Sequence, residues 1–316
     1  MLLTIVLMVA GFLLLYFGAE WLIRGGVSIA LRLGLTPLVV GLTIVAFGTS
    51  SPELVVSINA SLSGSGDLAV GNVVGSNICN VALILGLTAV IRPVIVDSQL
   101  LRFDVPVVLV SSIVLFWFLS DGSLGRLEGL ILFASLLVYI AISLQIARRS
   151  QQAVREEFAE ALPSTVGGLF KDIFLILIGL GMLVFGANLF VDGAVAIARF
   201  FGVSEATIGL TIVALGTSLP ELATSAVAAL KGEGDIAIGN VIGSNIFNIM
   251  SILGITAIIS PLFSAGIGLV DLGLMVILVI VLIPLLWSGF RLNRWEGGFL
   301  LFTYMGYVYY ILDVAA

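Results

Sequence analysis

The chain has 316 residues, 60% of them apolar and only 10% charged, with a mean hydropathy of +1.25, whereas soluble domains carry about 25% charged residues. A soluble fold of this length has no interior for about 190 apolar side chains (60% of the chain), so the composition is that of an integral membrane protein. With no histidine and one cysteine, imidazole- and thiolate-based zinc sites, histidine-dependent nucleophilic catalysis, histidine-ligated haem and any disulfide framework are excluded, while the net charge of −6 sits in loops and helix ends and says little about partners.

A bilayer core about 30 Å thick is crossed by roughly 20 helical residues, or about 30 with a turn, which predicts about ten spans. The apolar runs are long rather than short and alternating, which favours helices over an outer-membrane barrel. The first run, 2–24, lacks the basic flank of a signal peptide, and a similar stretch recurs later in the chain, so it is expected to be a retained helix. Runs at 36–63, 67–90, 104–120 and 126–147 follow. The one substantially polar segment, 148–163, then reads as a linker, either a loop or a short surface helix. A second series lies at 170–200, 204–230, 236–258, 268–288 and 296–312. Near the inner edge of the first run, Glu20 and Arg24 are spaced for an ion pair one turn apart. Asp67 and Asp235, before the third and eighth spans, are expected to cap those helices.

Residues 41–86 align without a gap to residues 209–254, at an offset of 168, with 30 identities in 46 positions. The chain is an internal duplication. Each unit holds five spans, an odd number, so the second copy is expected to enter the membrane from the opposite side. With the N-terminus outside, Arg24, Arg32, Arg92, Arg102, Arg148, Arg149, Arg155, Lys171, Lys231, Arg291 and Arg294 fall on the cytoplasmic side and only Arg126 and Arg199 outside, as the positive-inside rule requires. The expected architecture is an all-α membrane protein of ten transmembrane helices in two inverted five-helix repeats. Residues 1–148 form the first repeat, 149–168 a cytoplasmic linker and 169–316 the second. Inverted repeats are a transporter signature, and the expected location is a cell membrane.

Each copy carries GTSxPE in mid-span, as residues 48–53 and 216–221. Proline has no amide proton, so Pro52 cannot bond the carbonyl of Gly48, nor Pro220 that of Gly216. Backbone freed at membrane depth is tolerated only where it lines a cavity or meets an ion. A carboxylate, Glu53 or Glu221, follows each proline, and Thr49 lies one turn before Glu53. The next span of each copy bears a polar stripe at four-residue spacing, Asn72, Ser76 and Asn80, and Asn240, Ser244 and Asn248. Such oxygen-only donors suit hard cations such as Na+ and Ca2+, whereas soft metals want sulfur or imidazole. All thirteen basic residues lie at span ends or in loops, so a bound cation best explains two intramembrane glutamates. Serine and asparagine stripes also serve helix packing, and Cys79, opposite Phe247 in the alignment, reads as packing. Asn59, opposite Val227, has no role by symmetry.

With GTSxPE followed by GNVxGSNIxN in both copies, the chain resembles the cation/Ca2+ antiporter superfamily, and within it the prokaryotic Na+/Ca2+ exchangers. The resemblance covers nearly the whole chain. It implies ten helices, eight packed around the site and two long tilted ones, here about 2–33 and 170–202, that slide to alternate access. It also implies that Glu53 and Glu221 bind Ca2+ with the backbone carbonyls of Thr49 and Thr217. Sodium sites would add the carbonyls of Ala46 and Ala214 and the side chains of Ser50, Ser218, Ser76 and Ser244. Asn80 and Asn248 stand where members place polar or acidic ligands. Many relatives have Asp at the position of Asn248, and K+-dependent members need an acid there, so K+ coupling is not expected. The linker is too short for the regulatory Ca2+-binding domains of animal exchangers.

The expected function is Na+/Ca2+ exchange without a cofactor, the ions and the lipid bilayer being the only expected partners and neither nucleic acid nor a protein partner being indicated. An H+/Ca2+ or other divalent-cation antiporter of the same fold is the alternative, and an intramembrane carboxylate protease a remote one.

Overall fold

A computed structural model describes residues 2–33, 35–157, 168–202, 208, 212, 214–264 and 266–314. It is almost entirely helical. Helix α1 spans Leu2–Leu33, and α2 is broken into α2a, Pro37–Thr49, and α2b, Ser51–Leu62, with a bend of 44°. Helices α3, Gly66–Ile91, and α4, Leu100–Asp121, follow, then α5, Arg126–Glu157, and α6, Leu169–Phe200. A turn at Ala214–Gly216 leads to α7, Leu219–Lys231. The chain closes with α8, Gly234–Ile259, α9, Leu269–Trp287, and α10, Arg294–Val314.

These bounds follow the punctuation of the sequence. Glycine, proline and charge fall between apolar runs, because in a bilayer every backbone group must be paired within its own helix until the chain leaves the hydrocarbon. Among the described residues seven helices are long and apolar enough to cross a membrane, or eight when α2a and α2b count as one span. The tyrosine- and glycine-bearing α10 is not one of the seven, and much of the span expected at 204–230 lies outside the described residues. The fifth helix runs on to Glu157, ten residues beyond the run read from sequence and into the expected linker, whose residues 158–167 lie outside the described residues.

Helices α3 and α8 are the buried centre, and α1 and α6 the most exposed long apolar pair. Large apolar side chains such as Phe12, Phe170, Phe185 and Phe302 are bare on the outer surface, as expected of a surface solvated by lipid tails. Contacts between the halves come in pairs separated by the 168-residue offset. A Cβ at Gly11 would lie 2.8 Å from the carbonyl oxygen of Gly186, and one at Gly18 lies 2.8 Å from that of Gly179, so α1 and α6 touch backbone to backbone. Gly86 meets Gly297 as Gly129 meets Gly254. The short strands β1, Val94–Ile95, and β4, Arg291–Leu292, pair antiparallel, as do β2, Ser123–Leu124, and β3, Leu262–Phe263. Tyr139 donates to Asp104 at 2.9 Å between α5 and α4, and Tyr307 donates to Asp271 at 2.9 Å between α10 and α9.

The expected Glu20–Arg24 pair is present, and Lys231 of α7 joins it at 2.7 Å from Glu20. Arg32 ties the end of α1 to Asp172 of α6 at 3.1 Å. Asp235 lies in the first turn of α8 and does not cap it as expected, nor does Asp67 cap α3. It lies in the first turn of α3 and its Oδ1 accepts the amide of Gly266 at 2.9 Å, because a residue already inside the helix points away from the N-terminal amides that a cap must reach.

Candidate functional site

Both copies break the helix at the same serine. Ser50 has φ −85° and ψ 4°, and Ser218 φ −88° and ψ 4°, two residues before each proline. Pro52 and Pro220 then open α2b and α7, where a missing amide proton costs nothing. The break turns the carbonyl end of α2a toward the gap, the favourable end of a helix for a cation. Glu53 and Glu221 sit in the first turn of the following helices, on the end that favours negative charge.

The two glutamates are buried to 1% exposure, and Oε2 of each lacks a hydrogen-bond partner. The ion pairs among the described residues involve neither of them. Two amides fix the backbone around them. Asn72 Nδ2 donates to the carbonyl of Glu53 at 3.3 Å and to Ser57 Oγ at 3.1 Å, and Asn240 Nδ2 donates to the carbonyl of Glu221 at 3.3 Å and to Ser225 Oγ at 3.0 Å. A second amide layer crosses between the copies. Asn80 Nδ2 donates to Asn245 Oδ1 and Asn248 Nδ2 to Asn77 Oδ1, each at 3.0 Å.

The expected residues therefore converge, with differences. Ser50 Oγ donates to Glu221 Oε1 at 2.8 Å, but Ser218 Oγ turns to Ser76 Oγ at 3.4 Å. Thr49 Oγ1 donates to Asn240 Oδ1 at 3.1 Å, whereas Thr217 Oγ1 is without a partner. The carbonyl of Ala46 accepts from Ser50 N at 3.0 Å and from Thr49 Oγ1 at 3.3 Å. The Ser244 hydroxyl is buried and unpartnered. Ala214 begins the turn that leads to the second break. Next to Thr217 a cavity of about 160 Å³ lies between α6 and the two breaks, lined by Pro52, Val56, Pro220, Asn188 and Asp192 among others.

Sequence reasoning passed over Asn77, Asn245, Ser57 and Ser225. All four belong to the identities between the copies, which was the available signal, but Asn77 and Asn245 fall off the four-residue stripe that drew attention to their neighbours, and Ser57 and Ser225, four residues beyond the glutamates, fall outside GTSxPE. Oxygen donors of this kind, two of them carboxylates, could hold hard cations. Among the described residues no three acidic, thiol or imidazole side chains gather into a metal cluster.

The family model described as sodium/calcium exchanger protein matches residues 3–145 and 171–312. The chain belongs to the sodium/calcium exchanger family. Members are transporters rather than enzymes, and the chain is a multi-pass membrane protein and a cation/Ca2+ antiporter. It is 38% identical to the putative antiporter CaxA of Alkalimonas amylolytica over 99% of this chain and 100% of that protein. It is 32% identical to the sodium/calcium exchanger MaX1 of Methanosarcina acetivorans over 96% of both. A solved structure of the sodium-calcium exchanger NCX_Mj matches with a TM-score of 0.83 and 32% identity, over 99% of each chain, so this exchanger has the NCX_Mj fold.

Proposed function

We propose that this antiporter exchanges Na+ for Ca2+ by alternating access, with Glu53 and Glu221 as the shared carboxylates of one cation site. The observation that carries the reading is the pair of buried glutamates, each with an unpartnered oxygen and neither in an ion pair among the described residues. A bare charge there is expensive, and a cation relieves it. The carbonyls of Thr49, Thr217, Ala46 and Ala214 and the side chains of Ser50, Ser218, Ser76, Ser244, Asn80 and Asn248 complete the donor set for Ca2+ and Na+.

Charge gives the mechanism. The empty site holds −2, which one Ca2+ or two Na+ neutralise, and a further Na+ makes it positive. A bare −2 site resists passage through a low-dielectric path while a filled one slides, so the protein changes sides only when loaded. Ten spans in two inverted repeats, 1–148 and 169–316 joined by a cytoplasmic linker at 149–168, are supported by the paired glycine, strand and amide contacts at the 168-residue offset. The distribution of basic residues supports an extracellular N-terminus. The cavity beside Thr217, lined by Val184, Asn188 and Asp192, then lies along the outer half of α6.

Ca2+ uptake into proteoliposomes under imposed Na+, K+ or H+ gradients tests the function. A Na+ gradient should drive 45Ca2+ against its own gradient, with no requirement for K+, because Asn248 offers an amide where K+ coupling needs a carboxylate. Uptake driven by H+ and indifferent to Na+ would replace Na+ as the coupling ion. Uptake only down the Ca2+ gradient would refute exchange.

A further inference from the structure

Asparagine is an ambiguous cation ligand. Its amide has two ends of nearly equal size, an oxygen that binds a cation and an NH2 that repels one. A site that uses Asn80 and Asn248 therefore needs a device that chooses the end. Here the NH2 of Asn248 is taken up by Asn77 Oδ1 and that of Asn80 by Asn245 Oδ1. Oδ1 of Asn80 and Oδ1 of Asn248 are left buried and unpartnered.

A pair of amides alone does not fix the direction, since Asn77 and Asn248 turned over together would still share one hydrogen bond. The third member of the chain does. Asn77 Nδ2 lies 3.7 Å from the sulfur of Met275 on α9, and a thioether has lone pairs but no proton to give. It accepts an NH2 and repels a carbonyl oxygen. Asn77 and Met275 are each 2% exposed, so bulk water offers no substitute partner for either. With the NH2 of Asn77 held on sulfur, its oxygen must face Asn248, whose NH2 must then face Asn77 and whose oxygen is left over.

We infer that Asn77 and Asn245 are positioning residues that hold the amides of Asn248 and Asn80, and that Met275 sets the direction of the Asn77–Asn248 pair so that the oxygen of Asn248 faces the cation. The inference rests on the cation site proposed above and adds to it three residues outside that donor set. It gives α9 a part in the site through a sulfur atom that touches no ion.

The test exploits the symmetry of a carboxylate, which has no wrong way round. Ca2+ affinity is read both as the KM for Na+-driven 45Ca2+ uptake and as the thermal stabilisation of the detergent-solubilised protein by Ca2+. Asn77→Ala should weaken Ca2+ about tenfold, the upper scale of one neutral hydrogen bond, and Met275→Leu about threefold, since only a weak acceptor is lost. In the Asn248→Asp background both penalties should shrink to within about twofold, because no amide remains to be misdirected. Equal penalties in the two backgrounds would mean that Asn77 and Met275 only pack the helices, and overturn the inference, as would no penalty in either. Should Asn248→Asp not fold, Asn245→Ala with and without Asn80→Asp gives the same cycle on the other side. A wild-type protein that binds Ca2+ but does not exchange it for Na+ refutes the proposed function and leaves this cycle readable by binding; one that binds no Ca2+ refutes both.

Discussion

Thr49 and Thr217 hold the same place in the two copies of GTSxPE, yet Thr49 is buried with its hydroxyl on Asn240 while Thr217 lines a cavity with its hydroxyl unpartnered. The difference extends to their surroundings. Val56, Asn188 and Asp192 border the cavity beside α6, but their counterparts at the 168-residue offset, Thr224, Glu20 and Arg24, stand where α1 packs against α7, Thr224 being fully buried and Glu20 bonded to Lys231. Two nearly identical segments thus occupy one open and one closed setting. An exchanger built from a duplication needs this asymmetry, because a site equally open on both faces would leak, and exchanging the roles of the halves supplies the second state.

The largest expected effect erases what the halves share. Glu53→Gln and Glu221→Gln should each reduce Ca2+ exchange about a hundredfold or more, since removing one of two charges leaves a divalent ion undercompensated in a dry site. Size-exclusion profiles should stay unchanged, and transport within twofold of wild type in either variant would remove that glutamate from the site. Acid should mimic these substitutions. Protons and cations compete for the same carboxylates, so lowering the pH inhibits exchange and raising Ca2+ moves the inhibition to lower pH. Superimposed curves at low and high Ca2+ would place the protonation elsewhere, and with no histidine in the chain no imidazole can stand in.

Glycines test whether the closed and open settings trade places. A Cβ at Gly243 would lie 2.6 Å from the carbonyl oxygen of Leu42; at its counterpart Gly75 no contact falls within 4 Å among the described residues, and Leu210, the counterpart of Leu42, lies outside them. Gly243→Ala should destabilise the protein by about 1–3 kcal/mol as an overpacked contact, seen as a lower melting temperature. Gly75→Ala should slow exchange about tenfold, because an exchange of roles brings Gly75 into the contact that Gly243 makes here. Unimpaired turnover in Gly75→Ala would argue against an exchange of roles.

A smaller effect is expected at the closed face. Lys231→Met removes the tie between α7 and Glu20, and partly exposed ion pairs contribute little, so the fold should hold while the populations of the two settings shift severalfold. In a protein with Cys79→Ser, the modification rates of single cysteines introduced at Val56 and Thr224 by a membrane-impermeant thiol reagent read that shift. Val56→Cys should react faster in the parent and Thr224→Cys should gain in Lys231→Met; unchanged rates would mean that the tie holds nothing shut. The smallest change should come from Asn59→Ala and Ser143→Ala, which lie outside the paired set and should alter exchange by less than twofold.

Much of the molecule could be read from residues in order. Helix positions follow from hydrophobicity, because backbone in hydrocarbon has no option but to pair with itself. The paired carboxylates follow from the duplication, which makes Glu53 and Glu221 stand out among residues that are merely apolar. Local chemistry also dictated a break near each proline, though not that it falls at Ser50 and Ser218. Tertiary structure alone decided the rest. It selected which hydroxyl reaches Glu221, placed Asn77 and Asn245 opposite Asn248 and Asn80, and brought Lys231 to Glu20 across 211 residues. Above all it made the halves unequal. A duplicated sequence encodes two equivalent arrangements, and nothing in GTSxPE says which copy is open; that choice belongs to the packing of α1 and α6 against the bundle, where Glu20 of α1 is bonded to Lys231 while Asn188 and Asp192 of α6 line a cavity.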